Sequence, residues 1–269
     1  MMSRLRAALA GLIVLTTLPT AEAGSGAEPI TPFAIEDSAD FAKQIERDLA
    51  AQGTRLALVF RSGRPREDLP DGIAYTHGAF WIYAEAQTVD GETHRGYAVH
   101  NLYHFAEDRR QSYLAQDWPI NFVQGDVVGE VGVIIPTPEL QRRILMLFAS
   151  GAYRELHHPD YSLISHPHDL RYQNCNEYML DVIAAAIWET TDRERLKRNL
   201  DAHFEPARLR TSLLERMFGP SVDDRIRLED HSGTIRTTTF SAIADFMIEN
   251  GFADAAYEIQ ADHVEAQES

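Results

Sequence analysis

The chain holds one cysteine, Cys175, and that thiol is the residue best suited to covalent chemistry. It lies in Tyr172-Gln173-Asn174-Cys175-Asn176, directly before an apolar run from Tyr178 to Trp188. This context predicts a helix that starts at the cysteine. At a helix start, backbone N–H groups and the macrodipole favour a thiolate over a thiol. A thiol that attacks a carbonyl needs a base to take its proton, and imidazole is the usual one. His77, in Tyr75-Thr76-His77-Gly78-Ala79, falls in a run that reads as a strand, and the small residues after it leave room beside the ring. A buried strand histidine needs hydrogen-bond partners, so it is either a satisfied core group or a working one. The pair predicts a low-pKa nucleophile, with the Cys175 N–H and the nearby Gln173 or Asn174 stabilising an oxyanion and Asn176 close by.

The elements that must hold these groups follow from periodicity and turn signals. Residues 37–52 carry Phe41, Ile45, Leu49 and Ala50 at helical spacing. Strands are expected at 56–60, 73–83, 97–103 and 127–135, and Asp90-Gly91 marks a hairpin between the second and third. Thr137 as N-cap with Pro138 after it opens a helix. Further helices are expected at 175–188, 192–204, 206–217 and 239–249, with short strands at 225–228 and 257–260. Helices and strands mix without regular alternation, which points to an α+β fold, an antiparallel sheet packed against helices.

The segment Tyr75 to Tyr83, followed further along the chain by Arg171 to Trp188, resembles the bacterial domain of unknown function 2145 family. That family is similar to circularly permuted NlpC-type, papain-like cysteine hydrolases. The resemblance implies a papain-like arrangement with additional C-terminal helices, Cys175 as nucleophile and His77 as base. It further implies a polar residue on the adjacent strand that orients the base. His100 and Asn101 are the options; they face opposite sides of that strand, so one alone can serve, and His100 is the expected one. The implied activity is a cysteine-dependent hydrolase or acyltransferase on an amide or ester, of the cell-wall peptide or acyl-lipid class. The alternative is a non-catalytic ligand- or partner-binding protein on the same scaffold.

Residues 1–23 read as a secretory signal: Arg4 and Arg6, an apolar stretch from Ala7 to Leu18, then Ala21-Glu22-Ala23. No cysteine follows that stretch to carry a lipid, so no stable membrane anchor is expected after cleavage. The signal predicts a periplasmic or secreted protein, where a lone thiol has no intramolecular partner. Residues 24–36 read as a flexible leader, 37–261 as a single domain and 262–269 as a disordered acidic tail. The net charge of −16 excludes a nucleic-acid binder, which needs a basic face. No cofactor is expected. His157, His158, His166 and His168 crowd one loop and offer a metal reading, but no ligand motif accompanies them, and a solvated loop beside the cleft is the plainer one.

Overall fold

The computed structural model describes residues 33–87, 93–209 and 223–262. At its centre is a six-stranded, wholly antiparallel sheet in the order β4-β3-β2-β1-β5-β8. The strands are β1 (Leu56–Arg61), β2 (His77–Gln87), β3 (Thr93–His104), β4 (Ser112–Asp117), β5 (Glu130–Pro136) and β8 (Ala253–Gln260). A two-stranded ribbon pairs β6 (Ala207–Leu209) with β7 (Ile235–Thr237). The described residues form six α-helices: α1 (Ile35–Ala51), α2 (Pro119–Val123), α3 (Pro138–Ser150), α4 (Cys175–Trp188), α5 (Arg193–His203) and α6 (Phe240–Glu249).

Both faces of the sheet are covered. On one, α1 and α2 bring Phe41, Ile45, Leu49 and Phe122 against Val59, Trp81, Val99 and Val133. On the other, α3, α4, α5 and α6 pack over Leu58, Phe60, Phe80, Leu102 and Ile134. Strands covered on both sides cannot alternate apolar with polar, which is why β1 reads Leu-Ala-Leu-Val-Phe and is buried throughout. Helix α1 has no side-chain cap at its N-terminus. Burial of Ile45 and Leu49, worth about 1.5–3 kcal/mol each, holds it instead.

The expected hairpin is present as an antiparallel β2–β3 pair, with Phe80 opposite His100 and Tyr83 opposite Tyr97. Four expectations are corrected. The second strand begins at His77 rather than at residue 73, because Pro70 and Gly72 (φ 86°) turn the chain just before it. Ala207–Leu209 is strand where a helix over 206–217 was expected. Residues 225–228 lie in no strand; the nearby strand is β7. Ile35 and Glu36, assigned above to a leader, begin α1. The expected signal, most of the leader, the Asp90-Gly91 turn, residues 210–217 and the tail beyond Asp262 lie outside the described residues.

Candidate functional site

Helix α4 starts at Cys175, as its sequence context predicts. Asn174 caps it, its Oδ1 accepting from the Glu177 N–H at 2.9 Å. The helix is buried from Cys175 through Ala186 and runs over β2 at Gly78. A Cβ at Gly78 would lie 2.7 Å from both Met179 Sδ and Phe60 Cε1, so the close approach of α4 requires glycine there. The Cys175 side chain is 5% exposed, with Sγ 4.0 Å from the Thr76 carbonyl and 3.7 Å from Asn176 Oδ1.

If Gly78 faces α4, its neighbour His77 must face the other way. The His77 ring is on the α1/α2 side, stacked on Tyr103 with centroids 5.1 Å apart and beside Phe122 at 5.8 Å. Its Nε2 lies 3.0 Å from Asn101 Oδ1, an acceptor, which places the proton on Nε2. Asn101 Nδ2 donates onward to Asp117 Oδ2 at 2.9 Å, and the Tyr103 hydroxyl donates to the same oxygen at 2.7 Å. Burial, then the Arg61 charge, pushes His77 down to about 3, so the ring is neutral.

Cys175 and His77 are therefore not brought together: no hydrogen bond or ion pair among the described residues joins them. Of the small residues after His77, Gly78 does make room, but on the face the ring does not occupy, and Ala79 packs in the core on the ring's own side. Burial pushes the Cys175 thiol up, against the opposing pull of the Gly78 and Asn176 N–H groups and the Arg61 charge. Desolvation thus outweighs the helix terminus that the sequence reading relied on.

The other expected site residues divide in the same way. Asn101, not His100, contacts His77. His100 is on the α4 side, 4.8 Å from the Phe148 ring centroid, and burial pushes it down to about 4. Gln173 is fully committed: its amide donates to Leu156 O and Asp181 Oδ2, and its oxygen accepts from the His158 N–H. The Asn174 amide donates to Leu163 O, and the Asn176 amide to Thr238 O at 3.3 Å. These side chains hold the 156–174 loop and the β7–α6 junction to α4 rather than facing an oxyanion.

Cys175 lines a partly open cavity of about 60 Å³. Tyr161, Leu163 and Ile164, from the histidine-rich loop, form one wall, and Thr237, Thr238 and Thr239 another. The loop histidines point elsewhere. His157 Nε2 meets the Ser112 hydroxyl, and His168 sits between Asp201 and the Phe204 carbonyl. No group of three or more His, Cys, Asp or Glu suited to a metal occurs among the described residues.

The sequence reading missed the ionic cluster beneath α4. Lys197 Nζ donates to Glu177 Oε1 at 2.6 Å and Asp181 Oδ1 at 2.7 Å, and all three side chains are buried. Burial pushes Glu177 up to about 7, against the lowering effect of Lys197. Glu177 and Asp181 recur at helical spacing inside an apolar run, and Lys197 lies in the next helix. That buried-carboxylate pattern was the available signal.

The architecture and site define a mixed α+β protein with a six-stranded antiparallel sheet and a buried thiol at a helix N-terminus. The chain belongs to the family described as uncharacterized protein conserved in bacteria (DUF2145), whose model matches residues 48–247. No curated protein and no solved structure matches it.

Proposed function

We propose that this protein is an exported, non-catalytic ligand-binding protein on a permuted papain-like scaffold, and that its ligand occupies the cavity lined by Cys175. The observation that carries this reading is the facing of Gly78. With glycine toward α4, the His77 imidazole sits across the sheet from the thiol and spends its Nε2–H on Asn101. The cavity then offers a neutral thiol, hydroxyls and amides, which is a recognition surface without a base. One feature favours the hydrolase or acyltransferase reading instead. The chain from His77 through Asn101 to Asp117 has the form of an oriented imidazole, so a rearranged β2 start would supply a base.

The pH profile of iodoacetamide alkylation separates the two. A neutral, buried thiol reacts only as pH rises through or above its ordinary pKa of about 8.5, and replacing His77 with Ala or Gln leaves the profile in place. Titration below pH 7 that moves upward in both His77 variants would overturn the binding reading in favour of catalysis. Alkylation in urea supplies the control for access.

A further inference from the structure

We propose that the outer edge of β8 is an interaction surface. It takes up an extended segment of a partner protein, in which basic and apolar residues alternate, as an added strand of the sheet. This surface is separate from the Cys175 cavity and does not depend on what binds there.

The sheet ends in two edge strands, β4 and β8, and they are treated differently. At the start of β4, the Ser112 N–H donates to Pro159 O and the Tyr161 N–H to Arg110 O, both at 2.7 Å, so the 157–161 loop lies across that edge. Among the described residues β8 has no such cover between Ala255 and Glu258. The Ala261 N–H donates to Gly129 O, and the residues that bond a neighbouring strand alternate along an antiparallel pair. Ala255, Tyr257 and Ile259 therefore bond to β5, and Ala256 and Glu258 turn their N–H and C=O groups outward. No hydrogen bond among the described residues takes up those outward groups. Cover begins at Gln260, whose carbonyl accepts from Gln44 Nε2 at 2.8 Å. An open row of this kind is a template for a further strand unless a proline, a lysine or a bulge blocks it. From Ala255 to Gln260 there is no proline or lysine, and the register with β5 is unbroken.

The side chains of β8 say which strand fits. Toward α1, Ala255, Tyr257 and Ile259 continue the apolar face of the sheet, with Ala255 and Tyr257 partly exposed. Toward α6 stand Ala256 and Glu258, the latter 2.9 Å from the Tyr75 hydroxyl, whose ring packs on Phe240 of α6. Asp254 precedes them, exposed, at the register shift that opens the strand. Neither Asp254 nor Glu258 forms an ion pair among the described residues. The cations at that end are Arg66, paired with Glu130, Arg142, paired with Glu139, and Arg55, which borders a groove with Asp254. Cross-strand neighbours share a face, and opposite charges there are favourable while like charges are not. The matching strand thus carries Lys or Arg on the α6 side and apolar residues on the α1 side. A second copy of this chain fits poorly. Paired antiparallel about Ala256, it brings Asp254 of one copy beside Glu258 of the other at both ends, between two chains that each carry a net charge of −16.

The probe is a fluorescein-labelled, ten-residue peptide of alternating Lys and Val, titrated with the full-length protein and followed by fluorescence anisotropy. Salt is held at about 0.15 M, where the screening length is about 8 Å and distant charge counts for little. Saturable binding is expected, with a Kd at least tenfold tighter than for the same peptide carrying Glu in place of Lys. Two arms separate strand addition from plain attraction between a cationic peptide and an acidic protein. In the first, the peptide is N-methylated at the backbone of its lysines, the residues that face Ala256 and Glu258. It keeps its charge but cannot donate to the edge, and binds at least tenfold more weakly. In the second, Ala256→Pro removes an outward N–H that the sheet does not use, a position where an edge strand tolerates proline. It weakens binding at least tenfold with the far-UV circular dichroism unchanged. Asp254→Asn with Glu258→Gln, which keeps an acceptor for Tyr75, weakens binding about fivefold and flattens its salt dependence. The proposal is overturned if the Lys–Val peptide does not bind, or if the N-methylated peptide binds as tightly. It is also overturned if sedimentation shows a dimer that Ala256→Pro dissociates, since the edge would then serve a second copy. The N-methylated arm uses the wild-type protein, so the test holds even if Ala256→Pro fails to fold.

Discussion

On the α1/α2 face of the sheet, His77, Asn101, Asp117 and Tyr103 form a closed, buried hydrogen-bonded chain. On the α4 face, Cys175 has only long contacts, borders a cavity, and sits above the ionic cluster of Lys197, Glu177 and Asp181. One strand feeds both faces, and His77 and Gly78 are neighbours within it. The difference shows that a residue's chemistry is set less by its place in the chain than by which side of a pleat it takes. The histidine, given satisfied partners, becomes a neutral core group. The thiol keeps an opening.

Three substitutions probe that contrast. The largest effect is expected from the ionic cluster. Lys197→Met leaves Glu177 buried without its cation and Asp181 with only the longer Arg193 contact at 3.8 Å, and should cost about 3–5 kcal/mol in urea unfolding. Adding Glu177→Gln and Asp181→Asn should recover part of that loss. If Lys197→Met is neutral, the α4 face does not depend on charge pairing.

Gly78→Ala tests the facing itself. The added methyl meets Met179 and Phe60 at 2.7 Å, and an aromatic ring against a helix has little freedom to move away. A loss near the upper end of about 1–3 kcal/mol is expected. A variant as stable as wild type would mean that α4 does not press on Gly78, and the separation of His77 from Cys175 would have to be reconsidered.

The smallest effect concerns pH. His77 lies at about 3 in the folded protein, against 6.5 for a free histidine. Between those values the unfolded chain binds the additional proton, so stability present above pH 6.5 is lost as pH falls toward 3. From pH 6.5 to 5 the His77 share is about 2 kcal/mol, at 1.36 kcal/mol per pH unit. Asp126 and Glu177, raised by burial to about 6 and about 7, act in the opposite sense, since acidification relieves them. Both remain in His77→Gln, so the difference in slope between wild type and variant isolates the histidine. Equal slopes would show that His77 is already charged or exposed, which would break the contrast between the faces.

Much of the scaffold was legible in the residues. Thr137-Pro138 caps α3, Asn174 caps α4, and the aromatic and β-branched runs flanking Asp90-Gly91 pair as β2 and β3. Strand β4 was not, because Ser112–Asp117 is an edge strand in which neither burial nor residue type alternates. Helix α2, only five residues long, carries no periodic signal. The candidate site divides along the same line. A lone thiol at a helix start is local information, since Asn174 and the apolar run beside it specify it within a few residues.

By itself the amino-acid sequence determined most of the elements, the helix start at Cys175 and the presence of a histidine in the β2 run. Only the tertiary structure decided that Gly78 faces α4, that His77 therefore faces Asn101, and that Thr238 and the α6 terminus border the thiol. The physical reason is the two-residue period of a strand. A shift of one position at its start exchanges the faces of every side chain, and the choice is made by what packs on each side. Here a helix that must approach closely demands the position without a Cβ, and the imidazole is left to the opposite face.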